Sequence, residues 1–413
     1  MKKSNFITIL FSLFSCFRIN LIGQLFGSEV VALLFFPKSR ILRLFSLPQI
    51  KKIILPYSIF LISLMISDIF VNQTPINSYL RGWSNIIFSF IQVVFLVSLF
   101  LKSEKNYILY LFFSAVSFFI FRPQMDGEFD ISSNAFKIYF MFGTNYLIIL
   151  IAYIMKNKSD KLPLLIFFLY AIFCMIADAR SNGAVYFLAT IIYSTKLFKI
   201  KVGITSSVLL LFTILAVGYS GYMYYASKVL SGEVGGSNAQ QILKLKNPYN
   251  PIELLQEGRR DALFALVPIM DKPLLGFGSW AEDSTGKYNF LYDLYAKNES
   301  SKGRTRELIP AHSVLLASWL WAGIGGLIGC FLLYFRIITW GIILFIKTNN
   351  KFLIIIIPLL LDLIWNFLFS PIGHIRQTAP IIFAVIIVQY YRFNKKYREN
   401  YKKRGVFTSA ALR

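Results

Sequence analysis

The sequence predicts an all-α polytopic membrane protein, on three observations. Of its 413 residues 56% are hydrophobic and 17% aromatic, and the mean hydropathy is +0.60. Apolar runs close to the ~20 residues that cross a bilayer as a helix recur along the whole chain. Lipid supplies no partners for unpaired backbone groups, so runs of this length imply helices rather than open strands. Lysine and arginine, finally, gather in short links between alternate runs, the pattern of cytoplasmic loops.

Taken in order, the candidate spans are 6–17 and 21–36, two short helices broken at Arg18-Ile19-Asn20, then 53–71, 86–101, 107–121, 138–155 and 162–178. They continue with 184–198, 204–226, 313–335, 352–371 and 380–393, about twelve crossings in all. Met1-Lys2-Lys3 resembles a signal-peptide start, but no small-residue cleavage site follows it, so it reads as the start of the first span. Residues 338–347 fit either an extension of the preceding helix or an interfacial segment. Basic links 37–52, 102–106, 156–161, 196–201, 336–351 and the tail from Arg392 to Arg404 fall on one side. Links 72–85, 122–137, 179–183, 228–311 and 372–379 fall on the other. Both termini are then cytoplasmic and the large polar segment is periplasmic or extracellular, which makes four regions: 1–227, 228–311, 312–393 and the tail 394–413.

The formal net charge of +23 does not point to nucleic acid. Segment 228–311 holds 11 Lys/Arg and 10 Asp/Glu, a net of 11 − 10 = +1, so the excess lies in the links and the tail. A nucleic-acid interface needs a contiguous basic face on a folded domain. Cys16, Cys174 and Cys330 all lie in apolar runs with no metal-ligand spacing, and read as small buried hydrophobes. The sequence has no P-loop, no Gly-x-Gly-x-x-Gly and no Asp-x-Asp in the polar segment, so neither a cofactor nor a protein-bound metal is indicated.

Chemistry is sought where the polar side meets the apolar runs. His312 follows Pro310 at the head of a span, where free N–H groups and the helix dipole favour an anion. His312 and His374, the only two histidines, both fall on the outer side. Arg259 and Arg260 precede Asp261–Met270, whose apolar spacing fits an amphipathic helix lying on the membrane face. They read either as arginines snorkelling to lipid phosphate or as a clamp on a diphosphate, whose oxygens a guanidinium fork matches in pairs. Arg180 occupies a tight outer turn, Asp178 to Gly183, either as a partner of Asp178 or as a second cation for substrate. Arg376 is a similar case beside His374. Asp68 sits near enough to the 72–85 link to reach water, and Asp362 lies mid-run beside Trp365 and Asn366. Intramembrane acids are costly, so Asp362 reads as a helix–helix hydrogen bond or an ion-coupling group.

With those residues in view, the chain resembles the O-antigen polymerase and O-antigen ligase superfamily of bacterial envelope glycosyltransferases. The likeness rests on Gly258-Arg259, on Pro273-Leu-Leu-Gly276-Phe-Gly278-Ser-Trp280-Ala-Glu282-Asp283, on Ile309-Pro310-Ala-His312-Ser-Val-Leu315 and on Trp319-x-x-Ala322-Gly323. Ser313 stands where many members carry asparagine. The motifs cover about 258–326; elsewhere the likeness is one of topology. It implies a GT-C-like membrane fold of the inner membrane, active in lipopolysaccharide biosynthesis on undecaprenyl-diphosphate-linked oligosaccharides, with no metal. It further implies that Arg180 and Arg259 hold the donor diphosphate and that His312 orients or deprotonates the attacking hydroxyl. Arg260, Arg376, His374, Glu282 and Asp283 are the substrate-binding candidates, with the acceptor pocket within 282–306. Membrane lipid, a flippase and a chain-length regulator are the implied partners. The leading reading is a polymerase of repeat units. A ligase to lipid A-core shares its donor chemistry, and a lipid-glycan carrier is the reading from a different class.

Overall fold

The computed structural model describes residues 2–20, 24–37, 39, 41–121, 136, 140–177, 179–198, 204–235, 237–296 and 308–403. Most of link 122–137, Asp178, the end of link 196–201, the 297–307 part of the expected acceptor pocket and the end of the tail lie outside them. The described chain is predominantly helical. Its first half contains α1 (Lys3–Leu13), α2 (Gly27–Leu34), α3 (Ile41–Phe45), α4 (Pro48–Ile66, continued by a π-helical turn Ser67–Val71), α5 (Ile76–Lys102), α6 (Lys105–Phe121), α7 (Met141–Met155) and α8 (Leu162–Ile176). Then come α9 (Arg180–Leu197) and α10 (Ile204–Leu230), followed by the short helices α11 (Ser237–Leu243), α12 (Pro251–Gly258), α13 (Arg260–Phe264), α14 (Leu266–Asp271) and α15 (Lys287–Ala296). The chain closes with α16 (Val314–Lys347), α17 (Leu353–Phe369), α18 (His374–Gln377) and α19 (Ala379–Lys403).

Among the described residues three helical stretches are long and apolar enough to cross a membrane: Pro48–Val71, α5 and α16. Helices α6, α7, α8 and α17 are apolar but shorter. The two spans expected at 6–17 and 21–36 become α1 and α2, of 11 and 8 residues. At 1.5 Å per residue these reach only about 16 and 12 Å, too short to span alone. The polar Arg18-Ile19-Asn20 break is not a plain link. It pairs antiparallel with Gln24–Phe26, Arg18 opposite Phe26 and Asn20 opposite Gln24, and Gly27 N–H donates to Phe17 O to close the ribbon. Residues 338–347 extend α16. The amphipathic helix expected over 261–270 is divided into α13 and α14 at Ala265.

One continuous apolar core runs through α1, α2, α4–α9 and α16–α19, and a small satellite of Ala226, Val229, Ala239 and Ile242 joins α10 to α11. Helix α16 lies most intimately against α4. A Cβ on Gly329 would come within 2.7 Å of Phe60 N, and one on Gly325 within 1.9 Å of Ser63 Oγ. Small residues four apart let the two backbones approach, which is how helices associate where lipid removes the hydrophobic drive.

The links separate into two groups at opposite ends of the bundle. At one end Arg392 pairs with Glu104 (3.0 Å), Lys196 Nζ donates to Ile346 O (3.1 Å), and Lys351 lies 5.0 Å from the Tyr153 ring. At the other, Asn72 Nδ2 donates to Gly276 O (3.2 Å), Ser78 Oγ to Glu282 (3.1 Å), and Gln92 Nε2 to Arg376 O (3.2 Å). The first group is the basic set of links; the second contains the polar segment.

Candidate functional site

Helix α16 is broken at Gly323, whose φ of 62° and ψ of −157° leave the helical region. The break exposes the carbonyls of Leu320 and Trp321, and the Gly276-Phe277-Gly278 turn fills the gap. Phe277 N–H donates to Leu320 O (2.7 Å), Gly278 N–H to Trp321 O (2.9 Å), and Ser67 Oγ to the same Trp321 O (2.9 Å). Only glycine fits on either side: a Cβ on Gly323 would lie 2.1 Å from Leu274 O, and one on Gly276 2.6 Å from Trp321 O. Asp68 completes this clip. It is fully buried and accepts from Ser279 N–H (2.6 Å), Ser279 Oγ (2.7 Å) and Trp83 Nε1 (2.8 Å). The expectation that Asp68 meets water is therefore corrected: its carboxylate anchors the 273–280 motif, whose work is structural.

The clip fixes where the polar segment can deliver side chains. Arg259 occupies the joint between α12 and α13, and its guanidinium lies 4.7 Å from the Trp365 ring and 4.9 Å from the Phe369 ring of α17. Burial lowers its pKa from the ordinary arginine value. Arginine starts so far above neutrality that the group stays cationic. Arg260 points elsewhere and pairs with Glu257 one turn back.

His312 immediately precedes Ser313, which caps α16 by accepting from Leu316 N–H (3.3 Å). The imidazole keeps an accessible face, yet the atoms crowded around it lower its pKa below the ordinary histidine value. The ring is thus open to solvent on one side and packed on the other. Asp261 acts against that lowering, and Arg259 adds to it, so all three charges lie within electrostatic reach. Tyr292 donates its hydroxyl to Asp261 and stacks edge-on with Phe264 at 5.1 Å. His374, within reach of His312, is held by Thr378 Oγ1 (3.1 Å) and its pKa falls to about 4, chiefly through burial and secondarily through His312. It is a neutral ring at physiological pH.

Helix α17 forms the back wall. Asp362, Trp365, Asn366 and Phe369 recur at helical spacing, so they share one side of it. Asn366 Nδ2 donates to Asp362 (2.9 Å) and Ser370 Oγ to Asn366 (2.8 Å). Asp362 opens onto a small internal cavity with Asn145, Asn182 and Thr378. Asn182 lies two residues after Arg180 in α9, and Thr378 is the hydroxyl partner of His374. Arg180 itself begins α9 and lies 5.7 Å from the Tyr225 ring of α10.

No family model, curated protein or solved structure matches this chain.

The structure thus brings Arg259, His312 and His374 together and holds Arg180 on a neighbouring helix. It gives two expected substrate contacts other tasks. Arg376 is 6% exposed and its five N–H donors are all engaged: Nε on Glu29, one terminal nitrogen on Ser84 and Asn85, the other on Glu29 and Gln24 O. No donor remains for a substrate phosphate. Asp283 accepts from Asn289 N–H (2.8 Å), Asn289 Nδ2 (2.9 Å) and Thr285 Oγ1 (3.3 Å), which organises the turn into α15. Glu282 remains exposed, accepting from Ser78 and paired through its backbone with Leu308. Asp261 and Tyr292 are the site residues that sequence reasoning missed. The adjacent Arg259-Arg260-Asp261 run was a signal for the first; the second gave none. Among the described residues no group of three or more His, Cys, Asp or Glu is placed to hold a metal ion.

The arrangement can stabilise and relay charge. A desolvated cation beside aromatic faces attracts a developing anion strongly. An imidazole with a lowered pKa is neutral at pH 7 and can accept a proton, and a neighbouring carboxylate stabilises the imidazolium that results.

Proposed function

We propose that the chain is a membrane glycosyltransferase that extends a lipid-diphosphate-linked glycan, an O-antigen-type polymerase acting at the outer face of the inner membrane with a GT-C-like fold. The observation that carries the reading is that Arg259, packed on Trp365 of α17, and Asp261 both lie within electrostatic reach of His312, at the end of the bundle away from the basic links. In this reaction a sugar hydroxyl of the acceptor attacks the anomeric carbon of the donor. The new C–O bond forms as the bond from that carbon to the diphosphate oxygen breaks. The hydroxyl proton passes to His312, and the electron pair leaves with the diphosphate, where Arg259 meets the growing charge. Asp261, held by Tyr292, stabilises the protonated His312. The clip at Gly323 keeps Arg259 and His312 in register, as positioning of reacting groups demands.

The test is the full chain in liposomes containing an undecaprenyl-diphosphate-linked repeat unit, with no ion gradient. A ladder of longer lipid-linked glycans supports the polymerase. Product that forms only when lipid A-core is supplied indicates the ligase. Movement of the lipid-linked glycan across the membrane with no new glycosidic bond indicates a carrier and refutes the reading.

A further inference from the structure

At the end of the bundle opposite His312, between the last turn of α16 and the outgoing half of α19, lies a cavity of about 640 Å³. This is within the range that holds a ligand of appreciable size. Its rim is cationic. Lys347, Arg392 and Lys396 line it, and Glu104, the one acid in the lining, is already engaged by Arg392 at 3.0 Å. Lys347 and Lys396 are exposed and have no ion-pair partner among the described residues. One turn inward from these cations the wall is apolar, with Leu344, Phe352 and Phe393, and the exposed Asn349 and Asn350 of the link after α16 add polar groups at the cationic end.

The layering decides the class of ligand. A free phosphate has no use for an apolar wall. A soluble nucleotide would leave that wall wet and would compete for a cavity that opens among apolar helices. A molecule with a phosphodiester at one end and hydrocarbon at the other satisfies both zones, with the anion at Lys347 and Lys396 and the chain along Leu344 and Phe393. Snorkelling lysines at a helix end and anionic headgroups are natural partners at this depth. We propose that this cavity is a binding site for an anionic phospholipid of the leaflet facing the basic links. The site is separate from Arg259 and His312, so it stands or falls independently of the glycosyl-transfer reading.

The experiment uses the purified full chain in detergent, titrated with phosphatidylglycerol and followed by native mass spectrometry, with phosphatidylcholine as the neutral control. One phosphatidylglycerol is retained and phosphatidylcholine is not. Two surface lysines together supply on the order of a thirtyfold preference for an anionic lipid. The double variant Lys347→Ala/Lys396→Ala therefore loses about that factor in affinity. Both side chains are exposed, so the variant folds. A second double variant, Lys158→Ala/Lys161→Ala on another link of the same end, keeps full affinity. Equal loss in both variants means diffuse charge attraction and overturns the proposal, as does unchanged binding in the first. Displacement of bound lipid by inorganic phosphate at equal concentration assigns the site to the free anion and overturns the lipid.

Discussion

Arg376 separates a structural from a substrate-binding arginine by experiment. Glu29 has no exposed surface and accepts from Arg376 Nε and a terminal nitrogen, each at 2.5 Å, from Gln92 Nε2 (3.2 Å) and from Phe26 N–H (2.9 Å). Arg376→Met removes two of those four donors and strands a buried carboxylate. Breaking one side of a buried ion pair costs about 3–5 kcal/mol. For a chain of this size that corresponds to a fall in Tm on the order of 3–6 °C. Glu29→Gln strands the guanidinium on Ser84, Asn85 and Gln24 O and costs a similar amount, about 3–5 kcal/mol. The double variant Glu29→Gln/Arg376→Met leaves neither charge, so its loss is well below the sum of the two singles. The assay is thermal unfolding of the detergent-solubilised chain, read by tryptophan fluorescence, alongside the glycan ladder at a permissive temperature. An Arg376→Met protein that keeps its Tm within about 1 °C while losing the ladder refutes the argument and returns Arg376 to the substrate.

Gly323→Ala places a methyl group on Leu274 O and forces a conformation that only glycine adopts readily, at a cost of order 1–3 kcal/mol. It should lower Tm and, by loosening Arg259 against His312, lower turnover further than the stability loss explains; unchanged turnover counts against the clip. Arg180→Lys should lose the ladder if Arg180 meets the diphosphate, because an ammonium lacks the bidentate fork; normal polymer assigns Arg180 to packing against Tyr225. His374 is expected to set a pH dependence of stability. Its pKa in the folded chain, about 4, lies below the ordinary 6.5, so the neutral ring's contribution is complete above pH 6.5 and is lost as pH falls towards 4. That loss amounts to about 3 kcal/mol by pH 4, and His374→Gln should flatten the Tm–pH curve across this window. If His312 is the base, the acidic limb of the turnover profile lies below pH 6.5, since its pKa is lowered too.

The helical runs were legible because continuous apolar stretches stand out along the chain, and Arg259 and His312 stood out as separate candidates because few charged groups sit where runs meet polar links. What escaped depends on partners distant in sequence. Glu29 lies in an apolar run and shows nothing of Arg376, 347 residues away, until α2, α5 and α18 pack together. Asp68 looks like a costly intramembrane acid because Ser279, its partner in the clip, is 211 residues on. Arg18-Ile19-Asn20 reads as a helix break, whereas its pairing with Gln24–Phe26 becomes visible only when both strands are present. Asp261 reads from the sequence only as the start of the amphipathic stretch beside Arg259 and Arg260, because its links to Tyr292 and His312 form only in the fold.

The most direct test is a double-mutant cycle on reconstituted full chain, measuring single-turnover glycan elongation for wild type, Arg259→Ala, His312→Ala and both together. Groups that act as one catalytic unit are strongly non-additive. Each single variant should lose on the order of 10²–10³ in rate, and the double no more than about tenfold beyond the worse single. Multiplicative losses would mean that the two residues work in separate places, and near-normal elongation by either variant would contradict the assignment of the site.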